Sequence, residues 1–159
     1  VKEGKPDESK RSHTSEYALY VKKGSNIKWD GNKITGAKKV GAQSGFSIVD
    51  LLKKQKEQKN IESIEDTART SVALINNISK GNLDAAAMLV LQADNTIKSN
   101  SEFSNVINLE PNKKKKAYYL ILSHKLVKED PELAKNIWKN LEAVRESSEY
   151  KTKMKEVLK

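Results

Sequence analysis

The sequence predicts an α/β fold, with a mainly parallel sheet flanked by helices and further helices at the C-terminal end. Three observations carry this prediction. Short β-favouring runs alternate with helical patterns between Glu16 and Leu109. The stretch Leu83–Val90 is apolar apart from Asp84, as expected of a strand covered on both faces. Beyond Ser123 the remaining pattern is helical.

The strands are placed by runs of β-branched, aromatic and small apolar residues that lie between turn signals. We expect strands at 16–22, 39–42, 61–65, 83–90, 106–109 and 117–123.

The helices between these strands are placed by their ends. Ser47, with Asp50 three residues later, forms a start that resembles a capping box. A second helix begins between Thr67 and Thr70 and stops at Gly81. A third helix is expected over residues 92–100.

The C-terminal part begins with a lysine run. Residues 113–116 follow Pro111 and Asn112, and we interpret them as a loop that leads into the strand at 117–123. Asp130 and Pro131 then supply an N-cap and a proline at the first helical position.

The long helix that follows has one apolar stripe, in which we expect Trp138 to lie in the core. The stripe consists of Leu133, Ile137, Trp138, Leu141 and Val144. Ser147 and Ser148 break the pattern, and a final helix runs over residues 150–158.

Composition excludes several classes of function. The chain has no cysteine, which excludes disulfides, thiolate catalysis and cysteine-ligated metal clusters. His13 and His124 are isolated, so we expect no metal, no cofactor and no catalytic triad. The net charge is +9, but the lysines are dispersed and only three arginines occur. We therefore expect a solvated basic surface and no nucleic-acid partner.

Two loops have the chemistry of an anion-binding site. The strand 39–42 ends in a glycine-containing turn that opens a helix, and such a turn presents backbone N–H groups that attract anions. Thr67, Arg69 and Thr70 lie at the next strand-to-helix junction. Because ligands of open α/β folds bind at the carboxyl edge of the sheet, both loops are candidates.

Three stretches of the sequence, in this order and spacing, carry a resemblance to a known family. They are EYALYVKKGS (16–25) with KKVGAQSG (38–45), GNLDA (81–85), and YYLILS (118–123), which leads into PELAKNIW (131–138) and RESSEY (145–150). Together they resemble the amino-acid-type (family 3) bacterial periplasmic solute-binding proteins, which have the type 2 periplasmic-binding fold. The resemblance covers residues 14–158.

The resemblance implies a domain organisation. Residues 1–15 are expected to form a polar, mobile arm, 16–25 the first hinge strand and 26–116 the α/β second lobe. Residues 117–159 are expected to form the returning hinge strand and the closing helices of the first lobe. Most of the first lobe has no counterpart in the sequence, which indicates a shortened chain or a natural half-protein. Because closure around a ligand needs contacts from both lobes, we expect one lobe to bind weakly.

The resemblance also implies a function. It implies the solute-binding component of an ABC transport system, located in the periplasm or otherwise outside the cytoplasm, which docks on a membrane permease. Its ligand is expected to be amino-acid-like and to carry a carboxylate. Such a protein is not an enzyme.

The same resemblance implies that amides near Gly45 and Phe46 and the Ser47 hydroxyl hold the ligand carboxylate. The candidate ligand-binding residues are Gln43, Ser44, Gly45, Phe46, Ser47, Thr67, Arg69 and Thr70. Two plainer interpretations stay open. Ser47 could simply cap its helix, and Arg69 could be an ordinary exposed residue at a helix start.

One position departs from the family pattern. Relatives that recognise α-amino acids usually carry an acid five positions after the aspartate of GNLDA, where it pairs with the ligand ammonium. Here this position is Leu89, which accepts no hydrogen bond. Gln92 and Asp94 are the possible replacements, and Asp84 is interpreted as structural.

The alternative function is an interaction or sensory module that dimerises through the uncovered closing helices.

Overall fold

The computed structural model describes residues 6–157, without the side chains of residues 111–113, 155 and 157. The chain forms two compact units. The larger unit comprises Glu16–Lys115, and the smaller unit combines the N-terminal segment up to Ser15 with the chain from Lys116 onward. The chain passes from one unit to the other within its first and its last strand.

The five-stranded sheet has the strand order β5-β4-β6-β1-β7. Its strands are β1 (His13–Lys22), β4 (Lys39–Ala42), β5 (Ser63–Glu65), β6 (Ala85–Leu89) and β7 (Val106–Tyr118), and a separate hairpin consists of β2 (Lys28–Trp29) and β3 (Ile34–Thr35). β4 pairs in parallel with both β5 and β6, whereas β1 is antiparallel to β6.

Helices cover the faces of this sheet, and the predicted α/β fold class is confirmed. The helices of the larger unit are α1 (Val49–Glu57), α2 (Ser71–Lys80) and α3 (Val90–Ser99). Close packing explains Gly41 in β4, because a Cβ atom there would lie 2.7 Å from side-chain carbons of both Leu74 and Leu83. The alanines of β6 are likewise buried, as a strand covered on both faces requires.

The ends of two helices differ from the prediction. α1 begins at Val49 after Ile48, and no side chain caps it, so the capping role predicted for Ser47 is wrong. α3 begins at Val90, immediately after β6, rather than at Gln92. α2 ends as predicted at Gly81, which has the left-handed conformation (φ +80°) that favours glycine.

The loop predicted at Lys113–Lys116 is wrong, because β7 runs without interruption from Val106 to Tyr118. The predicted strand at 117–123 contributes only its first two residues to β7, and residues 119–123 form no regular element. β7 is an edge strand. Lysines are common on edge strands, where their charge discourages pairing with a further strand.

In the smaller unit, three helices follow one another: α4 (His124–Glu129), α5 (Pro131–Glu146) and α6 (Ser148–Val157). The Asp130 cap of α5 is confirmed, since its carboxylate accepts the N–H of Leu133 at 2.8 Å. Trp138 is only partly buried, which corrects the core position predicted for it, and it donates its indole N–H to the carbonyl of Leu120. Residue 158, the predicted end of the last helix, lies outside the described residues.

The N-terminal segment is tied to α5, whereas the sequence predicts a mobile arm. Glu8–Lys10 form a short 3-10 helix. The buried guanidinium of Arg145 donates to the carbonyls of Ser9, at 3.0 Å, and of Arg11. These bonds satisfy a charge that would be costly to bury alone.

Candidate ligand-binding site

The candidate site lies where the three parallel strands end. Ala42, Glu65 and Leu89 are the last residues of β4, β5 and β6, so the segments that follow them emerge at one edge of the sheet. This is the edge at which open α/β sheets bind ligands. The topology therefore brings together the two predicted loops and the position of Leu89.

The turn after β4 leaves two backbone donors unused. Gly45 has φ +77°, a left-handed conformation, and it lets the chain turn sharply into α1. The N–H of Ser44 is bonded to the carbonyl of Ala68 at 2.8 Å, and that of Phe46 to Gln43 at 3.2 Å. No hydrogen bond among residues 6–157 uses the N–H of Gly45 or Ser47. The expected free amide near Phe46 is thus engaged, and the free amides lie on either side of it.

The side chain of Ser47 lacks a partner. Its hydroxyl oxygen is buried, and no described group forms a hydrogen bond with it. A buried hydroxyl without a partner costs about 1–3 kcal/mol. Since Ser47 does not cap α1, its hydroxyl has no hydrogen-bond partner among the described residues.

The loop after β5 is fastened to this turn. Besides the Ser44–Ala68 bond, the side-chain amide of Gln43 donates to the carbonyl of Arg69 at 2.7 Å. The structure therefore places Gln43, Ser44 and Arg69 together, as the shared edge predicts. The guanidinium of Arg69 is exposed and forms no ion pair with any described residue.

The two threonines of this loop have local hydrogen bonds. The hydroxyl of Thr70 caps α2 by accepting the N–H of Ala73 at 3.3 Å. Thr67 donates both its N–H and its hydroxyl to the carboxylate of Glu65. These bonds hold the pKa of Glu65 below its usual range. Sequence reasoning missed Glu65 as a partner of Thr67.

Gln92 and Asp94, the possible partners of a ligand ammonium group, lie on α3, which follows β6 on the other side of β4. Asp94 accepts a hydrogen bond from the buried Tyr20 hydroxyl at 2.7 Å and lies 3.5 Å from the side-chain amide of Asn108. Burial, reinforced by the Asp94 carboxylate, raises the pKa of Tyr20 far above its usual value, so Tyr20 remains a donor. Gln92 is exposed on α3. Leu89 is partly buried and packs against the core.

A further concave feature lies away from this edge. An open hollow of about 520 Å³ lies beside the β2–β3 hairpin, but it shares no residue with the sheet edge. It is lined by Ser25, Asn26, Ile27, Lys28 and Thr35. Within residues 6–157 no cluster of acidic and histidine side chains is arranged to hold a metal ion. In the same part of the chain, no helix has both the length and the apolar character needed to cross a membrane.

Comparison with known proteins identifies the fold. No family model and no curated protein matches the chain. Among solved structures, an ancestral arginine-binding protein bound to arginine is 20% identical, with a TM-score of 0.65 over 94% of this chain and 62% of that chain. The chain has the fold of the periplasmic amino-acid-binding proteins.

Two further structures support the same fold. One comes from work on glutathione import in Gram-positive bacteria via GshT and the cystine ABC importer TcyBC of Streptococcus mutans. It is 22% identical, with a TM-score of 0.62 over 86% of this chain and 56% of that chain. The other is a histidine kinase sensor domain with similarity to periplasmic binding proteins, which is 14% identical, with a TM-score of 0.59 over 93% of this chain and 60% of that chain. The chain spans 56–62% of the length of these three structures. The resemblance predicted from the sequence is confirmed at the level of the fold.

Proposed function

We propose that this chain is a solute-binding component of an amino-acid-type ABC transport system, and that it binds a small ligand through a carboxylate. One observation carries the proposal. At the carboxyl edge of the sheet, the N–H groups of Gly45 and Ser47 are unused and the buried Ser47 hydroxyl has no partner. The fold supports the solute-binding role, because several similar structures are named as binding proteins.

A carboxylate suits these groups for electrostatic reasons. The turn lies at the N-terminal end of α1, where the helix dipole and the free N–H groups favour negative charge. Two N–H groups and one hydroxyl match the several lone pairs of a carboxylate, and hydrogen bonds to a charged group are stronger than neutral ones. Arg69, whose carbonyl is held by Gln43, adds positive charge at this edge.

The proposal extends to partners and location. A solute-binding component of this type acts outside the cytoplasm and delivers its ligand to a membrane permease. In this role the chain binds and releases its ligand without changing it.

The test is an NMR titration of the uniformly ¹⁵N-labelled chain with L-arginine, L-glutamine, succinate and 4-methyl-2-oxopentanoate, which detects millimolar binding. We expect at least one of them to give saturable shifts of the Gly45 and Ser47 amides. The amide of Gly81, another left-handed glycine at the opposite end of α2, is the internal control and should not move.

A pair of serine variants completes this test. Ser47→Ala removes one hydrogen bond to the carboxylate, and we expect affinity to fall roughly tenfold, or about 1.4 kcal/mol. Ser99→Ala, an exposed serine at the end of α3, should leave affinity unchanged. Shifts that are absent for all four compounds, or that avoid this turn, would contradict the proposed site.

A second candidate function is a sensory or interaction module that dimerises through its C-terminal helices. The similarity to a histidine kinase sensor domain favours it. So do the exposed apolar side chains of the smaller unit, among them Ile121, which is 87% exposed. The molar mass in solution tests this candidate.

A further inference from the structure

The β6 side of the candidate site is apolar. β6 lies beside β4, with Ala87 opposite Ala42, so its last residue, Leu89, emerges next to the turn that carries Gly45. Leu89 is partly buried against the core, and its partner on β1, Tyr17, is buried. The side chain of Leu89 offers a ligand apolar contact and no hydrogen-bond acceptor.

The acids near this edge are engaged in hydrogen bonds or lie on the far side of β4 from Leu89. Asp94 already accepts the Tyr20 hydroxyl at 2.7 Å. Glu65 binds Thr67 on the opposite side of β4. Asp66 directly follows Glu65, so it also lies on that opposite side of β4, away from Leu89. A positive group of a ligand bound beside Leu89 thus meets no carboxylate committed to it.

We infer, resting on the proposed function, that the ligand is a carboxylic acid without an adjacent ammonium group, such as a 2-oxo acid with an apolar side chain, rather than an α-amino acid. The free N–H groups of Gly45 and Ser47 bind its carboxylate, and its apolar part packs against Leu89 and Phe46. An ammonium group at this place would lose its hydration without gaining an acceptor, which is far more costly than the desolvation of a neutral carbonyl.

Matched pairs of compounds test this inference by the same NMR titration on the full chain. The pairs are 4-methyl-2-oxopentanoate with L-leucine, and phenylpyruvate with L-phenylalanine, whose members differ only in the oxo or amino group. We expect the oxo acid of at least one pair to bind at least tenfold more tightly than its amino acid, with the shifts centred on Gly45 and Ser47.

Leu89→Asp supplies the missing acceptor and should reverse the preference within a pair. Ile107→Asp is the matched control. Ile107 is 40% exposed and lies two residues after Asn105. The carbonyl of Asn105 accepts the N–H of Lys23 at the end of the sheet where β6 begins. The Ile107→Asp variant therefore adds the same charge at the opposite edge of the sheet, and it should leave the preference for the oxo acid over the amino acid unchanged.

The outcomes separate the inference from the function on which it rests. Equal or tighter binding of the amino acid in both pairs, at the same amides, overturns the inference and leaves the proposed function standing. Absence of binding by all four compounds overturns the inference, whereas the function fails only if L-arginine, L-glutamine and succinate do not bind either. The comparison within each pair uses the unmodified chain and does not depend on the folding of either variant.

Discussion

At the scale of single residues, the buried contact between Tyr20 and Asp94 is one that the sequence does not reveal. Tyr20 is 0% exposed, yet its hydroxyl reaches Asp94, which follows it by 74 positions. The sequence suggests that Asp94 is free to bind a ligand because its place on a helix after β6 is predictable, whereas its partner on β1 is not. Long-range partners of this kind depend on strand order, which local patterns do not contain.

We predict that Tyr20→Phe destabilises the chain by about 1–2 kcal/mol, because it leaves the Asp94 carboxylate without its best donor. Urea unfolding followed by circular dichroism measures the loss. Asp94→Asn keeps an acceptor for the tyrosine and should cost less. In the double variant the two losses should not add, since the two residues share one bond. Additive losses would show that the contact contributes nothing.

At the scale of elements, the prediction succeeds where apolar periodicity and capping signals coincide. β4 lies at 39–42 as expected, and α2 ends at Gly81. The prediction fails at α1 and β7 for a physical reason. The start of α1 is set by the turn around Gly45 and not by a capping side chain, and the lysines of β7 are compatible with a strand because they lie at an edge.

The β2–β3 hairpin depends on one polar residue of α1. Gln55 is buried, accepts the N–H of Ile34 at 3.0 Å and donates to the carbonyl of Asn32 at 2.7 Å. We predict that Gln55→Met, which conserves volume, costs about 2–3 kcal/mol because it leaves these backbone groups without partners. Gln58→Met, at an exposed position on the same helix end, should change stability by less than about 0.5 kcal/mol. Urea unfolding measures the free energy of unfolding of both variants, and equal values would contradict the role of Gln55.

At the scale of the whole molecule, the two units differ in how completely they bury their apolar side chains. The core consists almost entirely of residues of the larger unit, whereas Ala134 is the buried apolar residue of the smaller one among those described. The stripe predicted on α5 remains partly or largely exposed, with Leu133 at 45% and Val144 at 58%. The buried positions of this helix are Ala134 and Arg145, which the predicted stripe does not include, because periodicity contains no information on what covers a helix face.

We therefore predict that the chain associates at high concentration through the smaller unit, as the second candidate function requires. Apolar side chains gain free energy when they leave water, at roughly 25 cal/mol per Å². Light scattering should give a molar mass that rises above 17.9 kDa with concentration, and Ile121→Ser together with Val144→Ser should lower it. Val72→Ser, which replaces a residue of α2 that is 48% exposed, is the matched control and should have no effect. A mass that stays at the monomer value up to millimolar concentration would exclude this association and leave solute binding as the remaining candidate.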